Sequence, residues 1–143
     1  MARLNAEQAD AKTVEFPDEL TARADDPGVA KLLEGERLLF ELRREAREGE
    51  KSRLNERIQQ LQQEIGGLEG QAEAKATELK LIQEELNGLR DLYEKELVST
   101  TRVKALEREE ARLGGERNQL IAAIAQAKGR ISETELSNCW LPA

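Results

Sequence analysis

The sequence predicts an all-α protein, a long antiparallel coiled-coil helical hairpin preceded by a short N-terminal helical lead-in. Charged residues make up 36% and aromatic residues 3% of its 143 residues, a composition typical of long helices and coiled coils. Two stretches carry apolar residues in alternating steps of three and four, which is the pattern of a coiled-coil seam. Only a short stretch separates them, so the second helix is expected to return along the first.

Residues 1–26 are predicted to form a loosely structured lead-in. Their beginning favours a helix but offers little apolar area, and Pro17 interrupts it because the residue before a proline is pushed out of the helical region. Asp18–Ala24 can form a short helix. Asp26 suits an N-cap and Pro27 the first position of a helix, so the first long helix is expected to begin there.

The first long helix is predicted over residues 27–95. Its seam fades into charge between Arg43 and Arg53 and then continues for more than five heptads. Three glycines within residues 66–70 mark either a soft point, which we favour, or the close approach of a neighbouring helix. The seam positions are Leu54, Ile58, Leu61, Ile65, Leu68, Ala72, Lys75, Leu79, Ile82, Leu86, Leu89 and Tyr93.

Residues 96–100 are predicted to form the hairpin tip, and residues 101–140 the returning helix. Either Ser99 or Thr100 is well placed to cap the start of that helix. Its seam positions are Val103, Leu106, Glu110, Leu113, Arg117, Leu120, Ile124, Ala127 and Ile131.

The two seams can be tested against each other, because helices joined by a short turn run antiparallel. The favoured register centres the turn at Glu96 and sets small residues against large ones, as with Ala72 and Leu120, which evens the packing density. A shift of one heptad would set Ala72 against Ala127, which packs less well. The favoured register leaves the first helix upstream of Arg53 without a partner in this chain. It pairs Leu89 with Val103, Leu86 with Leu106, Leu79 with Leu113, Ile82 with Glu110 and Lys75 with Arg117.

Composition also excludes classes of function. The net charge of −7 disfavours nucleic acid and anionic membranes as partners, since either would require a basic face. The sequence has no His and a single Cys139, so no catalytic residue, cofactor site or metal site is predicted, and the chain is not expected to be an enzyme. It contains no run of about 18 apolar residues, so no direct membrane insertion is expected.

The predicted tip is unusually apolar. Leu92, Tyr93, Leu97 and Val98 crowd a position that is normally polar. One interpretation, applied mainly to Leu97 and Tyr93, is that these side chains close the end of the coiled coil. Leu92 precedes a seam position and is expected to point sideways, where an exposed apolar side chain suggests docking into a partner.

Several segments of the sequence resemble the HlyD-type periplasmic adaptors, the membrane fusion proteins of type I secretion systems. The resemblance covers roughly residues 1–136 and is specific in order and spacing. The segments that carry it are Phe16–Leu20, Asp26-Pro27, Leu32–Phe40, Leu92–Ser99 and Leu106–Glu109.

The resemblance implies that this chain is the helical arm of an inner-membrane-anchored adaptor. In that family the arm bridges an inner-membrane ABC exporter to a TolC-like outer-membrane channel, and the intact adaptor is a homo-oligomer. Related adaptors carry a spaced Arg–Leu–Ser motif at the tip, and Leu92 and Ser99 match its Leu and Ser. The Arg position falls on Gly88, so Arg90 or Arg102 would have to substitute. The implied docking residues are Arg90, Leu92, Tyr93, Leu97, Ser99 and Arg102.

Two departures from the family accompany the resemblance. A membrane segment and the family's β domains are missing, and residues 137–143 no longer match, so a truncated or frameshifted fragment is expected. The intact family is periplasmic, whereas a fragment without signal or membrane segment is expected to stay in the cytoplasm. The alternative hypothesis is a free-standing cytoplasmic coiled-coil scaffold that binds a partner helix through residues 29–53.

Overall fold

The computed structural model describes residues 1–139, which contain four α-helices and no β-strand. Trp140, the predicted last residue of the returning helix, lies outside the described residues with the three that follow it. The chain divides into two compact units, Ile58–Glu133 and a unit formed by Met1–Arg57 with the segment that begins at Thr134. The helices are α1 (Ala2–Gln8), α2 (Asp18–Thr21), α3 (Pro27–Glu94) and α4 (Thr100–Cys139).

The helix starts follow from local chemistry. The Asp26 carboxylate accepts a hydrogen bond of 2.9 Å from the backbone N–H of Gly28, as an N-cap does, and Pro27 is the first residue of α3. The long helix therefore begins at Pro27, with Asp26 as its N-cap. None of the described helices carries an apolar stretch long enough to cross a membrane.

Within Ile58–Glu133, α3 and α4 run antiparallel in the predicted register. Gln83 Nε2 donates to Glu110 Oε1 at 2.9 Å, and Lys75 Nζ lies 3.1 Å from Glu116 Oε2. Each of these pairs is one residue from the predicted layer. The antiparallel coiled-coil hairpin predicted from the two seams is therefore confirmed.

The seam residues line the contact between the two helices. Leu61 and Leu86 are each 1% exposed, and Leu113 and Ala127 each 2%. Every other predicted seam position between Leu54 and Leu89, and every one in α4, is buried or half-buried. Tyr93 is the exception at 44% exposed, because it lies where the two helices end.

The three glycines within residues 66–70 do not mark a close approach inside the described chain. Apart from the adjacent residues and the local helix backbone, a Cβ added at Gly66, Gly67 or Gly70 would meet no atom within 4 Å. The helix runs through all three without interruption. A soft point at these residues stays a prediction.

The N-terminal segment is more ordered than predicted. Helix α1 packs parallel to α3, with Arg3 Nε donating to Glu36 at 2.7 Å and Arg43 Nη1 to Glu7 at 3.4 Å. Phe40 is only 2% exposed. The prediction that the helix upstream of Arg53 has no partner in this chain is wrong. The reason is that charged side chains of α3 upstream of Arg53 bind α1. The same side chains interrupt the apolar seam of α3.

Candidate functional site at the hairpin tip

The turn between the helices ends α3 with a pair of backbone hydrogen bonds. The N–H of Glu96 donates to the carbonyl of Tyr93 and the N–H of Leu97 to the carbonyl of Leu92, both at 2.9 Å. This is the Schellman arrangement, in which the residue at Glu96 takes a left-handed conformation. Glu96 has φ 59°, where glycine is favoured because an L-residue pays about 1–2 kcal/mol there. A tight turn therefore forms although glycine is absent.

One apolar side chain closes the end of the coiled coil. Val98 packs against the buried cluster of Leu86, Leu89 and Val103. Leu97, by contrast, is 68% exposed. The interpretation that Leu97 closes the end is wrong, because the left-handed residue before it turns the chain so that the next side chain, Val98, enters the seam.

Tyr93 ties the two helix ends together through its hydroxyl. Thr100 Oγ1 donates to Tyr93 Oη at 3.3 Å. Ser99 lies immediately before α4 and is exposed, and its carbonyl accepts the N–H of Arg102 at 3.2 Å. Ser99 and Thr100 are the two residues expected to cap α4. The hydroxyl of Thr100 bonds instead to Tyr93 of α3.

The exposed apolar surface of the tip consists of Leu92, Tyr93 and Leu97. Leu92 is 39% exposed in the last turn of α3, and Leu97 lies five residues further on in the turn. The Schellman bonds join the backbones of these two leucines, so they are held at fixed positions. The last turn of α3 and the turn after it therefore present apolar side chains to solvent.

Both tip arginines pair across to the opposite helix. Arg90 of α3 lies 3.2 Å from Glu107 of α4, and Arg102 of α4 lies 4.0 Å from Glu85 of α3. Sequence reasoning singled out the two arginines but missed their carboxylate partners. The available signal was the register, in which each carboxylate lies about 1.4 helical turns from the position opposite its arginine.

Glu107 also binds Lys104 at 2.6 Å. The hydrogen bonds from Lys104 and then Arg90 lower the pKa of Glu107 below its ordinary value, against burial, which raises it. The carboxylate is therefore ionised at neutral pH and holds a charge between the two cations.

The side chains of the tip are apolar, hydroxyl-bearing or charged. The sequence has no His, and among the described residues no group of three or more His, Cys, Asp or Glu side chains is placed to hold a metal ion. Apolar contact, hydrogen bonding and ion pairing are the chemistry that these residues can supply.

Comparison with known proteins identifies the chain. A family described as AprE, long alpha-helical hairpin, matches residues 1–138. The type I secretion system membrane fusion protein PrsE of Rhizobium meliloti (strain 1021) is 44% identical over 135 residues, which are 94% of this chain and 31% of PrsE. The crystal structure of the soluble domain of LipC, a membrane fusion protein of a type I secretion system, matches with a TM-score of 0.89 at 23% identity.

The LipC match covers 96% of this chain and 64% of LipC, and at that identity it shows the fold alone. The chain spans about a third of the length of PrsE. The predicted resemblance to type I secretion adaptors is confirmed by the family match over residues 1–138 together with the similarity to PrsE. The chain belongs to the AprE long alpha-helical hairpin family and corresponds to the helical-hairpin region of type I secretion membrane fusion proteins.

Proposed function

We propose that this hairpin is the bridging arm of a periplasmic adaptor, with its tip as the end that docks to the outer-membrane channel. In the intact adaptor, anchored in the inner membrane, the arm would connect an ABC exporter to a TolC-like channel without catalysing a reaction. A ring of several copies would present several tips to one channel. The docking residues are Arg90, Leu92, Tyr93, Leu97, Ser99 and Arg102.

The observation that carries this proposal is the exposure of apolar side chains on an ordered turn. Leu92 and Leu97 are 39% and 68% exposed, yet backbone hydrogen bonds fix both positions. An ordered apolar surface loses little conformational entropy when it binds, so it suits repeated docking. Arg90 and Arg102 flank the tip residues, and each is held by a carboxylate of the opposite helix.

The test is a hairpin exchange in PrsE. The 135 aligned residues of PrsE would be replaced by those of this chain, and secretion by Rhizobium meliloti cells lacking their own PrsE would be measured. The exchanged protein is expected to restore secretion. Leu92→Asp in that protein is expected to abolish it, because a carboxylate at the docking surface would be desolvated without a partner.

A matched control is Leu81→Asp. Leu81 also lies on α3 and is 59% exposed, but it is three helical turns from Leu92. It is expected to leave secretion unchanged, and both variants should keep the helix content measured by circular dichroism. Normal secretion by the Leu92→Asp protein, or equal loss in both variants, would rule out docking through the tip.

A second candidate function is a scaffold that binds a partner helix through the beginning of α3. One observation favours it: Leu32, Leu38 and Leu42 are 72%, 56% and 54% exposed. The scaffold hypothesis predicts that the double variant Leu32→Asp, Leu42→Asp no longer binds the partner helix. It also predicts that Leu92→Asp still binds it. The exchange in PrsE distinguishes the two hypotheses, because the bridging hypothesis predicts loss of secretion from Leu92→Asp.

A further inference from the structure

The charges around the exposed leucines of the tip are unevenly paired. Its basic side chains Arg90, Arg102 and Lys104 each lie against a carboxylate of Glu107 or Glu85. The carboxylates of Asp91, Glu94 and Glu96 are exposed, and among residues 1–139 no cation lies within ion-pair distance of them.

These three carboxylates occupy positions that the stability of the hairpin does not favour. Asp91 and Glu94 lie in the last turn of α3, which contains no basic residue, and negative charge is unfavourable at the C-terminal end of a helix dipole. Glu96 occupies the left-handed position where glycine is favoured. Local folding therefore does not account for a carboxylate at any of the three positions.

Two of these carboxylates are adjacent in sequence to the exposed leucines of the tip. Asp91 precedes Leu92, and Glu96 precedes Leu97. Lys95 supplies the only further cation within residues 91–99, so three carboxylates against one ammonium group leave two net negative charges around the leucines. A partner surface with basic side chains would complement this distribution.

We propose that the surface receiving this tip is an apolar groove rimmed by Lys and Arg side chains, which the carboxylates of Asp91, Glu94 and Glu96 engage while Leu92 and Leu97 fill the groove. This inference rests on the proposed docking function and specifies the chemistry of the partner. Arg90 and Arg102 lie against carboxylates of the opposite helix, so neither lies within ion-pair distance of the three tip carboxylates. Charges at the rim would speed association and set its salt dependence.

The experiment uses the PrsE protein carrying this hairpin and measures how much of the outer-membrane channel copurifies with it from Rhizobium meliloti membranes. The test variant combines Asp91→Asn, Glu94→Gln and Glu96→Gln, which keep side-chain size and remove only charge. The matched control combines Glu56→Gln, Glu64→Gln and Glu73→Gln, exposed carboxylates of α3 away from the tip.

The unmodified hairpin is expected to retain less channel at about 500 mM than at about 50 mM NaCl, because salt screens exposed charges. The neutralised tip is expected to bind about tenfold more weakly at low salt and to lose the salt dependence, as expected for rim charge pairs. The control should behave like the unmodified protein.

Binding by the neutralised tip that equals the unmodified protein, while Leu92→Asp still abolishes it, would overturn the basic rim and leave docking intact. Normal binding by the Leu92→Asp protein would overturn docking itself, so the two failures are distinguishable. Circular dichroism is expected to give equal helix content for all variants.

Discussion

Lys75 Nζ lies 3.1 Å from Glu116 Oε2, joining the two long helices at a seam position that would otherwise bring Lys75 against Arg117. The same ammonium group lies 3.0 Å from Glu78. The aliphatic part of a lysine can remain in an apolar seam while its charged end reaches the surface. This arrangement explains why Lys75 in the seam does not separate the helices.

The first prediction concerns the dependence of hairpin stability on pH. The hydrogen bond from Lys75 lowers the pKa of Glu116 below its ordinary value of 4.5, although burial opposes the change. A carboxylate whose pKa is lowered in the folded state stabilises that state at pH values above the ordinary pKa. This stabilisation is lost as pH falls through the folded-state pKa. Glu116→Gln is therefore expected to reduce the fall in the thermal unfolding midpoint as pH is lowered from about 6 to about 3.

The measurement is the unfolding midpoint followed by circular dichroism across that pH range. Glu64→Gln, which removes an exposed carboxylate of α3, is the control and should keep the slope of the unmodified chain. An identical slope for Glu116→Gln and the unmodified chain would show that the ion pairs of Glu116 with Lys75 and Arg112 do not contribute to folding.

The second prediction is that Glu96→Gly stabilises the turn. Glu96 has φ 59°, a conformation that glycine adopts without the steric cost of a side chain, and the expected gain is about 1 kcal/mol in the free energy of unfolding. Glu94→Gly, inside the last turn of α3, should instead destabilise by about 1 kcal/mol. Chemical denaturation measures both, and destabilisation by Glu96→Gly would contradict the left-handed turn.

The third prediction separates the seam from the outer faces of α3. Leu86 is 1% exposed, so Leu86→Ala is expected to lower the free energy of unfolding by about 2–5 kcal/mol through the lost apolar burial and the cavity it leaves. Leu81 is 59% exposed, and Leu81→Ala should change stability by less than about 0.5 kcal/mol. Similar effects of the two substitutions would be incompatible with the observed register.

The fourth prediction is that Glu7 holds α1 on α3. Burial would raise the pKa of Glu7, but the hydrogen bond and charge of Arg3, with the charge of Arg43, keep it below its ordinary value. Glu7→Ala leaves those cations without this carboxylate. Since Ala is a better helix former than Glu, faster exchange in α1 would report lost contacts rather than lost helix propensity.

Amide hydrogen exchange of residues 2–8 is the measurement, and residues 58–93 of α3 are expected to keep their protection. Gln8→Ala, a change at an exposed position of the same helix, should leave exchange in α1 nearly unaltered. Unchanged exchange in the Glu7→Ala protein would mean that other contacts suffice to hold α1.

Much of the fold was predictable because heptad spacing determines which helix face is apolar. Leu61, Leu86 and Leu113 are buried as their positions in the two repeats predicted. The start of α3 was predictable too, because Asp26 and Pro27 act through bonds to their immediate neighbours. The sequence predicted where the tip lies but not which residue closes it. The single left-handed residue Glu96 decides whether Leu97 or Val98 enters the seam.

The sequence by itself therefore determined the helices, the seam between them, their antiparallel register and the family to which the chain belongs. Only the tertiary structure decided that α1 contacts α3 through Glu7 and Arg43, and that Glu107 and Glu85 pair with the tip arginines. The physical reason is range. Heptad repeats and caps act within a few residues of the chain, whereas these charge pairs join residues 17 to 36 apart whose partners no local pattern specifies.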